Sequence, residues 1–117
     1  MADWFSSLAK LKREVPDDVL VLPAHNECYR GLHARIDYLE ASQAAALAWL
    51  REMLREPRRA LDVFAALFGR PIVPTDASLL GLATGECVAC LNFMLQEGPV
   101  SVREDDSAVA WYVANPV

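Results

Sequence analysis

The sequence predicts a mainly helical fold with a small β-hairpin near its C-terminal end. Four segments repeat apolar residues at the three- and four-residue spacing of helices that pack along one face. Two short runs rich in valine, separated by an acidic turn, are typical of antiparallel strands joined as a hairpin. One further run, residues 19–22, is apolar at every position and predicts a strand of the kind buried in α/β proteins.

Composition and charge narrow the class of protein. The chain has 117 residues, 54% of them hydrophobic, which is enough to bury a core and excludes a disordered chain. Its net charge of −5 argues against nucleic-acid binding, which usually needs a basic face. Its three cysteines favour a reducing compartment, and no signal peptide or apolar run of about 20 residues is present. We therefore expect a cytoplasmic protein.

The first predicted helix covers residues 4–15, with Asp3 as its N-cap. A turn follows, and then the predicted strand Val19–Leu22, which Pro23 ends because proline cannot donate to a β-ladder. A strand that is apolar on both faces needs neighbours on both edges, and the sequence offers none nearby. We therefore expect residues 1–24 to contact a second copy of the chain or a missing domain.

The remaining elements follow the order of a winged helix. Helices are predicted over residues 33–56, from Pro57 to Gly69, and from an N-cap at Asp76 to Gly98. The predicted strands of the hairpin cover residues 100–103 and 108–113. The predicted architecture is thus a winged-helix-like three-helix domain, preceded by a helix and one α/β-type strand.

Three positions carry possible chemistry. His25 follows a strand end, where α/β proteins often place their functional residues, although a lone histidine is more commonly a polar corner residue. Cys28 could be a ligand or nucleophile, although a small half-buried filler is the more common role. Cys87 and Cys90 are spaced like a redox or zinc pair, but they fall in mid-helix on the apolar stripe, which favours core packing.

Two motifs point to a family. Leu-Pro-x-His at residues 22–25, followed by Arg-Gly-Leu-His-x-Arg-Ile at residues 30–36, resembles the closing segment of metallo-β-lactamase-fold hydrolases. The resemblance implies that His25 is the last metal ligand, for zinc or a similar divalent ion, in an intact enzyme. It also implies positions that support the metal site or line the substrate mouth: Asn26, Arg30 and His33.

The resemblance implies two domains. Residues 1–32 would be a remnant of the metallo-β-lactamase-fold domain, and residues 33–117 its associated winged-helix-like C-terminal domain. Intact members hydrolyse ester, thioester, lactam or phosphoester bonds with a metal-activated water. The family's His-x-His-x-Asp-His motif is absent from this chain. We therefore expect a structural or interface module with no catalytic residue, no metal and no activity when it is alone.

The corner around His25 departs from the family's usual His-Gly-x-Pro. Asn26 replaces the glycine, and Cys28 replaces the proline. Because asparagine adopts a left-handed backbone more readily than most residues, we expect the turn to be kept.

The alternative function is that of a winged-helix DNA-binding domain or transcription regulator. Such domains need cations on the last helix and on the hairpin. Beyond its cap, the last predicted helix carries only Glu86 and Glu97 as charges, and the hairpin tip is Glu-Asp-Asp at residues 104–106. The sequence therefore predicts no nucleic-acid partner.

Overall fold

The computed structural model describes residues 1–63 and 77–116. Within them lie three α-helices, one short 3-10 helix at Ala60–Val63, and two strands. The helices are α1 (Ala2–Glu14), α2 (Leu32–Met53) and α3 (Ala77–Glu97), and the strands are β1 (Val100–Glu104) and β2 (Ala110–Ala114). The predicted class, mainly helical with a small hairpin, is confirmed. No helix in this part of the chain is long and apolar enough to span a membrane.

The chain divides into two compact units, Met1–Ala44 and Ala45–Val117. The predicted domain boundary between residues 32 and 33 stays a prediction. In the first unit, α1 buries Leu8, and Lys12 in its last turn forms an ion pair with Asp37 of α2. The expected N-cap at Asp3 is wrong, because α1 begins at Ala2 and Asp3 lies in its first turn. A carboxylate there still stabilises the helix through its macrodipole.

The predicted strand Val19–Leu22 is reduced to a single β-bridge. Val21 donates its N–H to the carbonyl of Tyr29 at 2.8 Å and accepts the N–H of Tyr29 at 3.1 Å. The flanking side chains of Leu20 and Leu22 are 53% and 74% exposed. A strand needs a neighbour along its whole length. Among the described residues, this run meets a neighbour only at Val21, because the chain turns back on itself after Pro23.

The second unit packs α3 and the hairpin around an apolar core. Among the described residues of this unit, the largest fully buried side chains lie in or next to its helices: Leu50, Leu54, Val63, Cys87, Cys90 and Leu91. The strands β1 and β2 pair antiparallel, from Val100 opposite Ala114 to Glu104 opposite Ala110. Gly98, at φ 95°, ends α3 in the left-handed conformation that glycine tolerates best. The last predicted helix and the hairpin are thus confirmed to within two residues at each described end.

The segment after α2 differs from prediction. Instead of starting a helix, the chain stays extended at Arg58, which exchanges backbone hydrogen bonds of 2.9 and 2.8 Å with Tyr112 of β2. Helical structure begins only at Ala60, where Asp62 accepts the backbone N–H of Arg59 and pairs with its guanidinium. Arg58 stays extended because the backbone of Tyr112 in β2 provides both a hydrogen-bond donor and an acceptor for it. The rest of this predicted helix and the expected cap Asp76 lie outside the described residues.

Candidate functional site

The candidate site is the loop of residues 22–28, which we call the His25 loop. The backbone pair of Val21 and Tyr29 closes it at its base. At its tip, Asn26 has φ 70°, so the expected left-handed turn is confirmed. The side chain of His25 is exposed at this tip.

Two further contacts pin the chain on either side of the loop. The guanidinium Nη1 of Arg30 donates to the carbonyl oxygen of Asp18 at 2.9 Å. The carboxylate Oδ1 of Asp17 accepts the backbone N–H of His33 at 2.8 Å, and so caps the first turn of α2. Sequence reasoning missed this cap because Asp17 lies 16 positions away. One feature of the sequence could have indicated it. Gly31 precedes α2 and has no side chain, so a side chain that caps this helix must come from elsewhere in the chain.

His33 connects the end of α1 to the start of α2. Its ring nitrogen Nε2 lies 2.8 Å from the carbonyl oxygen of Val15. A carbonyl oxygen can only accept, so Nε2 carries the proton and donates it. That nitrogen is therefore not free to bind a metal ion, which agrees with a supporting role for His33.

An open pocket of about 820 Å³ lies beside the His25 loop. Most of the loop lines it, together with Tyr29 at the loop base and with Arg35 and Leu39 from α2. His25 and Asn26 offer polar atoms to this pocket, and Cys28 offers an exposed free thiol. The pocket thus brings together two of the predicted site residues, His25 and Asn26, whereas Arg30 and His33 do not line it.

The residues that the structure describes do not complete a metal site. Zinc in proteins takes at least three protein ligands. Among residues 1–63 and 77–116, no three histidine, cysteine, aspartate or glutamate side chains are grouped closely enough to hold an ion. His25, Glu27 and Cys28 are neighbours in sequence but do not form such a group.

Cys87 and Cys90 lie in the core, as predicted. Both side chains are fully buried. The thiol of Cys87 donates to the carbonyl oxygen of Ala60 at 3.3 Å, and burial raises its pKa to about 12. A thiol that stays protonated is a poor nucleophile and a poor metal ligand.

The family model of the metallo-beta-lactamase-like, C-terminal domain matches residues 47–115. The chain therefore belongs to this family, and the resemblance found in its sequence is confirmed. The matched residues lie within the second compact unit. Curated protein sequences give no significant match.

Two solved structures are similar over nearly the whole chain. A beta-lactamase domain protein from Burkholderia ambifaria is 29% identical with a TM-score of 0.88, over 97% of this chain and 33% of that one. A metallo-beta-lactamase family protein from Thermus thermophilus is 22% identical with a TM-score of 0.78, over the same shares. The chain thus spans about a third of the length of each. None of these matches supports the alternative of a DNA-binding regulator.

Proposed function

We propose that this chain is the C-terminal part of a metal-dependent hydrolase of the metallo-β-lactamase superfamily, and that it acts there as a structural and interface module. One observation carries the proposal: the likeness to the Burkholderia protein spans 97% of this chain but only a third of that protein. The intact enzyme would cleave an ester, thioester, lactam or phosphoester bond. Because the described residues do not complete a metal site, we assign no catalytic residue to this chain.

Within the intact enzyme, His25 is proposed as one metal ligand. Its imidazole is exposed at the tip of a loop whose base is held by three contacts: the Val21–Tyr29 pair, the Arg30–Asp18 bond and the Asp17 cap on α2. Holding the base restricts where the imidazole can lie, and metal binding then costs less conformational entropy. Asn26 shapes the tip, and the loop is supported by Arg30, just before α2, and by His33 in the first turn of α2.

The coding sequence in frame before Met1 tests this proposal. We expect it to contain a His-x-His-x-Asp-His motif, which would supply the remaining ligands. Loss of bound metal and of hydrolase activity from the full-length protein in His25→Ala would support the role of His25. The absence of any in-frame ligand motif, or full metal content in the His25→Ala protein, would contradict it.

The chain by itself is expected to hold no stoichiometric zinc at neutral pH. The reason is that a single histidine ligand binds zinc too weakly to survive purification. Elemental analysis of the purified chain measures this directly. About one zinc per chain, retained through dialysis and lost in His25→Ala, would show instead that the chain completes a site, for example across a symmetric dimer.

The chain by itself is also expected to self-associate through residues 1–24. Leu20 and Leu22 are exposed, and Trp4 of α1 is 38% exposed. Burying apolar surface contributes about 25 cal/mol per Å², so a few hundred Å² favours association by several kcal/mol before the entropy cost of association. In the intact enzyme, the preceding domain would cover the same surface.

Sedimentation velocity at micromolar concentration tests this expectation. The wild-type chain should sediment as a dimer or larger species, and Leu22→Lys should shift it towards monomer. Leu82→Lys is a matched control, because Leu82 is equally exposed, at 74%, but lies in the second unit. A wild-type monomer, or equal effects of the two substitutions, would show that residues 1–24 are not the contact surface.

A further inference from the structure

Arg35 presents its charge at the pocket beside the His25 loop. It is the fourth residue of α2, and its backbone N–H donates to the carbonyl of Gly31 at 3.1 Å. The carbon of its guanidinium lies 5.4 Å from the centre of the Tyr38 ring. This cation–π contact restricts the side chain without neutralising its charge. The guanidinium therefore has a preferred position over the Tyr38 ring, and Arg35 is one of the residues that line the pocket.

No carboxylate among the described residues forms an ion pair with Arg35. Asp37, two positions along α2, is paired with Lys12. Glu27, the one acid among the described residues that line the pocket, makes no ion pair with Arg35. Arg59 offers a contrast, since its guanidinium is held by Asp62 at 2.9 Å.

Arg30, the other arginine near the loop, is engaged differently. Its guanidinium donates to the carbonyl of Asp18 and holds the loop base. Arg30 does not line the pocket, whereas Arg35 does. Arg30 thus holds the base of the loop, and Arg35 is the arginine that lines the pocket.

We propose that this pocket binds the anionic group of a ligand, a carboxylate or a phosphate, through the guanidinium of Arg35. Arginine presents a planar set of donors that matches both anions in a bidentate geometry. The side-chain amide of Asn26, in the same pocket, is a further donor. A volume of about 820 Å³ accommodates a small organic molecule.

The anion site itself does not depend on the proposed function. Only the statement that the anion belongs to the hydrolase's substrate rests on that proposal. If both hold, the intact enzyme prefers substrates with a carboxylate or phosphate near the bond that is cleaved. The sequence in frame before Met1 tests the hydrolase proposal, whereas binding of simple anions to this chain tests the site.

The experiment is an NMR titration of the ¹⁵N-labelled chain with inorganic phosphate and, separately, with acetate. Sodium chloride at matched ionic strength is the reference. We expect saturable shifts of the backbone amides of His25, Asn26 and Arg35 with at least one of the two anions. The anion that binds more tightly identifies the ligand class.

Three variants make the result specific. Arg35→Gln should weaken binding at least about tenfold, because charge-assisted hydrogen bonds are lost. Arg35→Lys keeps the charge but not the planar donor set, and should weaken binding less. Arg13→Gln removes an exposed cation from α1, in the same unit, and should leave binding unchanged. An unshifted Tyr29 amide in each variant shows that the loop base is intact.

Several outcomes would overturn the proposal. One is the absence of saturable shifts with both anions. Another is equal binding by the wild-type and Arg35→Gln chains. Equal weakening by Arg35→Gln and Arg13→Gln would show a general charge effect instead of a site. If Arg35→Gln disturbs the Tyr29 amide, Arg35→Lys decides: binding at wild-type strength would count against bidentate recognition by Arg35.

Discussion

Replacing Leu91 with alanine is expected to lower the free energy of unfolding by about 2–5 kcal/mol, since the loss of a fully buried leucine leaves a cavity that its neighbours only partly fill. Leu91 lies on α3 and has no exposed surface. Alanine favours helix at least as strongly as leucine, so the loss would report packing and not helix propensity. Chemical denaturation followed by circular dichroism measures the change.

The control for Leu91→Ala lies on the same helix. Leu82 is 74% exposed, so Leu82→Ala should change the free energy of unfolding by no more than about 0.5 kcal/mol. Equal losses in the two variants would mean that the face of α3 carrying Leu91 is not the one packed in the core.

One of the three thiols is expected to react rapidly with a thiol reagent in the folded chain, and the other two slowly. Cys28 is exposed, whereas Cys87 and Cys90 are fully buried. With a pKa of about 12, the Cys87 thiol is ionised to only about one part in 10⁴ at pH 8. A thiol in an unfolded chain, with a pKa of ~8.5, is ionised to about a quarter at that pH. The reaction at Cys87 should therefore be slower by about a thousandfold or more.

Timed reaction with a chromogenic disulfide, in native buffer and in denaturant, measures the three thiols. Cys28→Ser should remove the fast phase and leave the slow thiols unchanged. In denaturant, all the remaining thiols should react together. If two thiols of the native Cys28→Ser chain reacted rapidly, Cys87 and Cys90 could not both be buried. The hypothesis that they form a redox pair would then be favoured again.

Local patterns were enough to predict several parts of the fold. The apolar periodicity of residues 77–97 and the stop at Gly98 depend on neighbours three or four positions apart, and the hairpin depends on alternation and a polar turn. The turn at Asn26 likewise follows from a local property, the tolerance of asparagine for a left-handed backbone. The family resemblance could be identified from residues 22–36 because its motif is a short contiguous run.

The candidate site was predicted only in part. His25 was identified by its position after an apolar run that ends in Pro23. In the sequence, Arg35 was only one residue of the motif. Its place at the pocket, without an ion pair among the described residues, came from the structure. The metal role of His25, and the supporting roles of Asn26, Arg30 and His33, stay predictions that the proposed experiments test.

The sequence by itself determined the helical class of this protein, its C-terminal hairpin, its family and the position of His25, since all of these follow from residues close together along the chain. Tertiary structure alone decided that Asp17 caps α2, that Arg58 pairs with Tyr112 and that Val19–Leu22 makes one bridge. Each of these is a hydrogen-bonding choice between partners distant in sequence. A backbone group bonds to whichever donor or acceptor the folded chain brings near it. The pattern of neighbouring residues in the sequence does not predict that partner.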